Sequence, residues 1–377
     1  MKSFKSHSPN LKSPASPARR PPAAACCLLL SALFFPPAAG ARAAAWGRQR
    51  TGTFAWLHAV FFVDERRGWA AGGKGALLRT SDGGETWEAA GRPTTDTLRD
   101  VFFGDAETGW LVCQRPDFGP SQEGEPLSYL LKTADGGATW TRVEVTKGAD
   151  ANLRLTGVRF AGAAHGWAYG EMGALFATRD GGATWTRQSA PTRHLLLGAN
   201  FLDERTGWLA GGGLTILKTA DGGESWRAGL VLMPAEGRET RASGPGIQGR
   251  GEAARREPQG EAPPPPKSSR RLNAVWFADA RRGWAVGAEG VVVATEDGGA
   301  SWRPQASGVG DDLFDVKFFD AREGWAVGAG GAMLHTTDGG RTWADERRVT
   351  THALERLAVV GRRAWAVGFG GTAVALR

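Results

Sequence analysis

The stretch "TSDGGETW", residues 80–87, decides the fold because it returns five more times. It reads "TADGGATW" at 133–140, "TRDGGATW" at 178–185, "TADGGESW" at 219–226, "TEDGGASW" at 295–302 and "TTDGGRTW" at 336–343. A Gly-Gly pair supplies the positive φ angles that a tight strand-to-strand turn needs. The Asp carboxylate can accept N–H bonds inside such a turn, with a nearby Ser or Thr adding another. The box residues are therefore read as structural: Asp82, Asp135, Asp180, Asp221, Asp297 and Asp338 hold the turns, and Trp87, Trp140, Trp185, Trp226, Trp302 and Trp343 bury their rings between neighbouring sheets. A metal or general-acid role fits poorly, since catalysis needs one unique setting and this setting is copied six times.

Working outward, each box closes a unit of about 41 residues. An apolar segment opens it, as in "LHAVFF" (57–62), "LNAVWF" (272–277) or "LFDVKF" (313–318). A turn ending in Gly-Trp follows, then a second short strand, a Gly-containing turn, a third strand and the box. Four short β segments per unit is the pattern of propeller blades.

The spacing supports the same reading. The Gly-Trp tryptophan precedes the box aspartate by 13 residues in five units, for example Trp69 to Asp82 and Trp284 to Asp297. A seventh unit begins at Leu354 and stops at Arg377, where its box is due. Trp46 stands 14 residues before Val60, the place of a box tryptophan. The fold expected is thus all-β: a seven-bladed propeller of four-stranded antiparallel blades, closed by strand exchange between the N- and C-termini. Closure removes the exposed strand edge that an open ring would leave.

Composition bounds the class. The 377 residues include 55 Gly and 16 Trp but only 2 Tyr, a turn-and-anchor composition. Net charge is +7, of which Lys2, Lys5, Lys12, Arg19, Arg20 and Arg42 supply all but one; residues 46–377 are near neutral, which argues against nucleic acid as a partner. A basic arm, the apolar run "AAACCLLLSALFF" (23–35) and small residues with an Ala-x-Ala pattern at Ala41–Ala43 give residues 1–45 the order of an export signal. The run is short for a membrane span, so the mature domain, 46–377, is expected without an integral membrane segment. With Cys26 and Cys27 in that signal, Cys113 is left alone and no internal disulfide forms. A periplasmic or secreted monomer is expected, lumenal if the source is photosynthetic.

Catalytic and ligand-binding patterns are sparse. The histidines show no metal spacing, and "GGKGA" and "GAGGA" precede no helix, so neither a metal nor a cofactor is expected. The tyrosines are Tyr129, read as lying in an inserted loop, and Tyr169, read as a regular strand residue. Asp100, Asp311, Asp312 and Asp315 are the acids outside repeated positions; nothing in their spacing sets the separation that glycoside hydrolysis requires.

The box is similar to the Asp-box (BNR) of sialidases. The fuller unit, "FxDxxxGWAVGxxGxLLxTxDGGxTW", resembles the photosystem II stability and assembly factor propellers and their bacterial relatives over about residues 46–228 and 271–377. The resemblance implies a non-enzymatic, exported accessory protein that binds a protein partner, a membrane-protein precursor, during assembly. The alternative is a sialidase-like or xyloglucanase-like hydrolase, or a polysaccharide-binding propeller.

Two insertions fall on the face opposite the boxes. One is the loop 113–128; the other, 229–270, is rich in Gly, Pro and mixed charge and is expected to be disordered. The same face receives Arg99, Arg154, Arg193 and Arg271 near the starts of inner strands, a possible partner-binding rim around the channel. The plainer reading is a set of unrelated, solvated arginines.

Overall fold

Each unit folds as three successive antiparallel hairpin steps, and the seven resulting sheets stand around one axis as a closed ring. The computed structural model describes residues 45–116, 125–233 and 270–377; the expected export signal and the bulk of the long insertion lie outside the described residues. Blades 1 to 6 run from their inner strands, Leu57–Phe62, Thr97–Phe103, Leu155–Ala161, Leu196–Phe201, Leu272–Phe277 and Leu313–Phe318, to their outer strands. Those are Glu88–Ala89, Thr141–Val143, Thr186–Arg187, Arg227–Ala228, Ser301–Gln305 and Ala344–Asp345. Blade 7 takes Leu354–Val360, Arg363–Gly368 and Ala373–Leu376 from the C-terminus and Trp46–Gln49 from the N-terminus. Trp46 pairs with Leu376 and Gln49 with Ala373, so the ring is closed by strand exchange as the spacing predicts.

The core is a repeated aromatic joint between blades. The Gly-Trp indole of one blade lies flat on the phenylalanine near the end of the next inner strand. Trp69 stacks on Phe103 at 3.6 Å, Trp208 on Phe277 at 3.5 Å and Trp365 on Phe62 at 3.7 Å. Stacked pairs of this kind add about 1 kcal/mol beyond their burial. The box tryptophans lie at the same joints. They meet the phenylalanine of their own blade edge-on, as Trp87 does Phe62 at 85° and Trp302 does Phe277 at 88°. Both indoles bridge sheets: Trp87, Trp226 and Trp343 also donate to Gln49, Gln188 and Gln305 of the preceding blade. Where Val359 replaces phenylalanine in blade 7, Trp325 stacks on His335 and takes Trp46 edge-on instead.

The boxes and the Gly-Trp turns share one face, and hydrogen bonds lock them together. In each of six blades the first box glycine donates its N–H to the turn, as Gly83 does to Arg66 and Gly298 to Arg281. The turns between second and third strands and the blade-to-blade connections form the other face. Two local expectations change there. Tyr129 belongs to the third strand of blade 2, Ser128–Thr133, where it is buried and bonded to Asp96 at 2.7 Å, because that strand is longer than its counterparts. The first residues of the segment expected to be disordered are strand: Leu230–Val231 adds in parallel to Ser301–Trp302, giving blade 5 a fifth strand.

Candidate functional site

Every inner strand bulges one residue after its leading leucine. A bulge shifts the pleat by one position and re-aims the residues around it. In blades 3 and 5 the residue after that leucine reaches the next blade: Thr156 Oγ1 donates to the Leu196 carbonyl at 2.6 Å, and Asn273 Nδ2 to the Leu313 carbonyl at 2.7 Å. The corresponding residues of blades 7, 1 and 2 are ionisable. Glu355 lies 3.8 Å from His58, whose Nδ1 lies 3.3 Å from an Arg99 guanidinium nitrogen. Burial opposes the charge of both outer partners. It pulls Arg99 below the usual arginine value, with Arg356 adding to the effect. For Glu355 the opposition of burial is outweighed by His58, Arg356 and Arg99, and the carboxyl sits below its ordinary value.

Deeper in the channel a cavity of about 290 Å³ is lined by Asp100, Arg159, Asn200, Trp276, Asp315, Lys317 and Arg356 among apolar neighbours. Asp100 and Asp315 occupy the same position in blades 2 and 6 and do the same work. Asp100 Oδ2 accepts the Val158 N–H of blade 3 at 3.0 Å and Arg159 Nη1 at 2.5 Å. Asp315 accepts the Leu357 N–H of blade 7 at 2.9 Å, its neighbour Val316 N–H at 2.9 Å and Lys317 Nζ at 3.2 Å. Each carboxylate therefore ties two inner strands together and neutralises one cation. Burial works against the Arg159 charge, but Asp100 more than offsets it and raises its proton affinity. Lys317 falls the other way: burial dominates, Arg159 and Arg356 add to it, and Asp315 does not recover the loss.

The box carboxylates are engaged within their own hairpins. Asp180 Oδ1 accepts the Thr178 hydroxyl at 2.7 Å and the Thr184 N–H at 2.9 Å, while Oδ2 accepts the Thr184 hydroxyl at 2.5 Å. The same set recurs at Asp82, Asp135, Asp221, Asp297 and Asp338.

The four rim arginines are distributed one per blade over blades 2 to 5 and at different depths. Arg99 alone reaches the channel group. Arg154 is half-buried beside Glu171, which accepts its backbone N–H. Arg193 is exposed. Arg271 is exposed and paired with Asp312 at 3.0 Å, and Asp311 pairs with Arg348 at 2.8 Å. On the box face Arg67 and Arg282 bond Asp64 and Asp279 of their own turns. Next to the channel mouth an aromatic group stands open: Phe54 is 96% exposed, and Trp56 meets Phe369 edge-on at 5.4 Å with both about half exposed.

Sequence reasoning passed over Arg159, Asn200, Trp276, Lys317 and Arg356. A signal was present: Phe61, Phe102, Arg159, Asn200, Trp276, Lys317 and Ala358 occupy one column of the repeat, which turns from aromatic to polar.

The sequence profile of the photosynthesis system II assembly factor YCF48 family matches residues 90–190 and 267–354, half of the chain. The chain belongs to that family. No curated protein matches it. Among solved structures, YCF48 bound to D1 peptide is 19% identical, with a TM-score of 0.63 over 88% of this chain and 94% of that one. YCF48 from Cyanidioschyzon merolae is 20% identical, with a TM-score of 0.64 over 88% and 99%. The GH74 xyloglucanase of Xanthomonas campestris is 14% identical, with a TM-score of 0.60 over 88% of this chain and 53% of the enzyme. At these identities the structural likeness speaks for the propeller alone. No helix of the described residues is long and apolar enough to cross a membrane.

Proposed function

We propose that this YCF48-family propeller is an exported, non-enzymatic assembly or stability factor. It binds a segment of a membrane-protein precursor at the channel mouth, on the face opposite the boxes. By family membership, the complex served is photosystem II or another membrane assembly. The observation that carries this reading is the asymmetry of the two faces. On the box face the six aspartates are bonded within their own hairpins, which supports a scaffold role. On the other face Phe54, Trp56 and Phe369 offer apolar surface beside Arg99, with Arg193 exposed on the same side. Aromatic and arginine side chains are the commonest energetic anchors of protein interfaces. The D1 peptide bound by a solved YCF48 agrees with a peptide ligand.

A hydrolytic reading asks two carboxyl groups to act as acid and as base or nucleophile. Asp100 and Asp315 each hold a cation and a backbone N–H of the next blade, so both are engaged in joining the channel wall.

The test is affinity capture from solubilised membranes of the source organism, followed by binding measurements with peptides of the captured precursor. Trp56→Ala and Arg193→Ala should each weaken binding by about tenfold, in line with a hot-spot loss near 1.4 kcal/mol. The box-face variant Arg281→Ala should bind normally. Equal loss in Arg281→Ala, or turnover of a β-glucan that Asp100→Asn abolishes, would overturn the proposal.

A further inference from the structure

The two faces of the ring differ in what they leave open to solvent. Among the described residues, five of the eight large apolar side chains that stand exposed lie opposite the boxes: Phe54, Trp56, Met172, Leu195 and Phe369. The box face has Leu202, and Leu230 and Leu232 lie along the added edge of blade 5. Lys74 and Met172 occupy the same turn position in blades 1 and 3, both exposed and both with a φ of 54°. Such left-handed strain persists where the side chain it carries is used. The charges divide as well. Glu289, Asp311 and Asp312 are paired with Arg270, Arg348 and Arg271. Lys74, Lys147 and Arg193 are exposed and form no ion pair among the described residues. The apolar groups stand nearly across the ring from each other, Phe54, Trp56 and Phe369 on blades 7 and 1, Met172 and Leu195 on blades 3 and 4. Between them the mouth is polar, with His58, Arg99, Thr156, Asn273 and Glu355. A compact ligand in the mouth reaches one group or the other, whereas a planar surface reaches both.

We propose that this face docks on the surface of a lipid bilayer that carries anionic headgroups. Phe54, Met172 and Leu195 enter the interface, and Lys74, Lys147 and Arg193 lie against the headgroups. Aromatic side chains favour the headgroup level, and cations beside them add attraction to anionic lipid. The unpaired cations distinguish this partner from a flat apolar protein surface, which would leave them desolvated and unmatched. The docking goes beyond the precursor-binding reading and does not depend on it: a chain that captures no precursor still docks.

Amide hydrogen exchange of the full chain tests it, with vesicles of phosphatidylcholine alone or mixed with phosphatidylglycerol. A local readout separates docking of the ring from tethering by the apolar run at 23–35. On the mixed vesicles protection should appear at 53–56, 73–75, 171–173 and 193–195, and not in box turns such as 81–86. Lys74→Glu should lower that protection at least about fivefold, the loss of a cation near a charged surface. Leu195→Ser should lower it too, and Arg281→Glu on the box face should leave it unchanged. All three residues are exposed, so matched melting temperatures show that the variants remain folded. Vesicle association without protection of these segments, equal protection of both faces, or equal protection on phosphatidylcholine alone overturns the assignment. Capture of a precursor by a chain whose face stays unprotected on vesicles upholds the precursor reading and overturns this one.

Discussion

The Trp365 indole N–H of blade 7 donates to the Gly83 carbonyl of the blade 1 box at 2.8 Å. The last unit of the chain is thereby held to the first by the same bond that joins Trp208 to Gly298 and Trp284 to Gly339. Two joints lack it. Lys132 takes the Gly181 carbonyl at 2.8 Å, leaving the Trp110 indole N–H without an acceptor, and blade 7 has no box to receive Trp325. Trp365→Phe should therefore cost more than Trp110→Phe, by about 1 kcal/mol, since both rings are buried and only one loses a hydrogen bond. Urea unfolding of the two variants checks the difference.

The strand Trp46–Gln49 is the outer edge of blade 7, extended by reciprocal backbone bonds between Ala45 and Arg377. Deleting residues 46–53 should abolish cooperative unfolding of the whole ring, because it exposes a strand edge and uncovers Trp325. A truncated chain with an unchanged melting temperature would count against ring closure as the source of stability.

The box carboxylates set an acid limit. The Thr139 hydroxyl and N–H, with Thr133, hold Asp135 down to about 2, and Asp338 is held at about 2 by the equivalent groups. Unfolded aspartate titrates near 3.9. The folded value is the lower one, so the contribution is complete above about pH 4 and is lost as pH falls through about 2. Melting temperature should drop over that window, and Asp180→Ala should lower it at pH 7 with partner affinity intact. Loss of binding at unchanged stability would contradict the scaffold role.

Met172 occupies the turn between the second and third strands of blade 3 with a φ of 54°, a left-handed conformation that Gly330 and Gly370 fill in blades 6 and 7. A side chain pays about 1–2 kcal/mol there, more than glycine adds through chain entropy. Because Met172 is exposed, Met172→Gly should stabilise the protein by about 0.5–1 kcal/mol. Denaturant midpoints of the two chains decide it.

Most of the fold was legible because its determinants are local. A box such as Thr178–Trp185 satisfies its own aspartate within four residues in either direction, so its eight letters specify a hairpin wherever they occur. Counting from box to box then numbers the blades, and the missing seventh box points to Trp46. Which indole stacks flat on which phenylalanine was not legible, because the same spacing fits a ring packed on its own blade or on the next. Only the stacking of Trp69 on Phe103 and its equivalents distinguishes these.

The channel was hidden for the opposite reason. Asp100 meets Arg159 across 59 positions and Asp315 meets the Leu357 N–H across 42. These pairs exist only after the bulges have re-aimed the inner strands and the ring has closed. Sequence alone determined the turn chemistry and the repeat, since each rests on contacts within one unit, and counting the repeats numbered the blades. The tertiary structure alone decided which charges face each other in the channel, because ring closure gathers single residues from blades far apart in the chain.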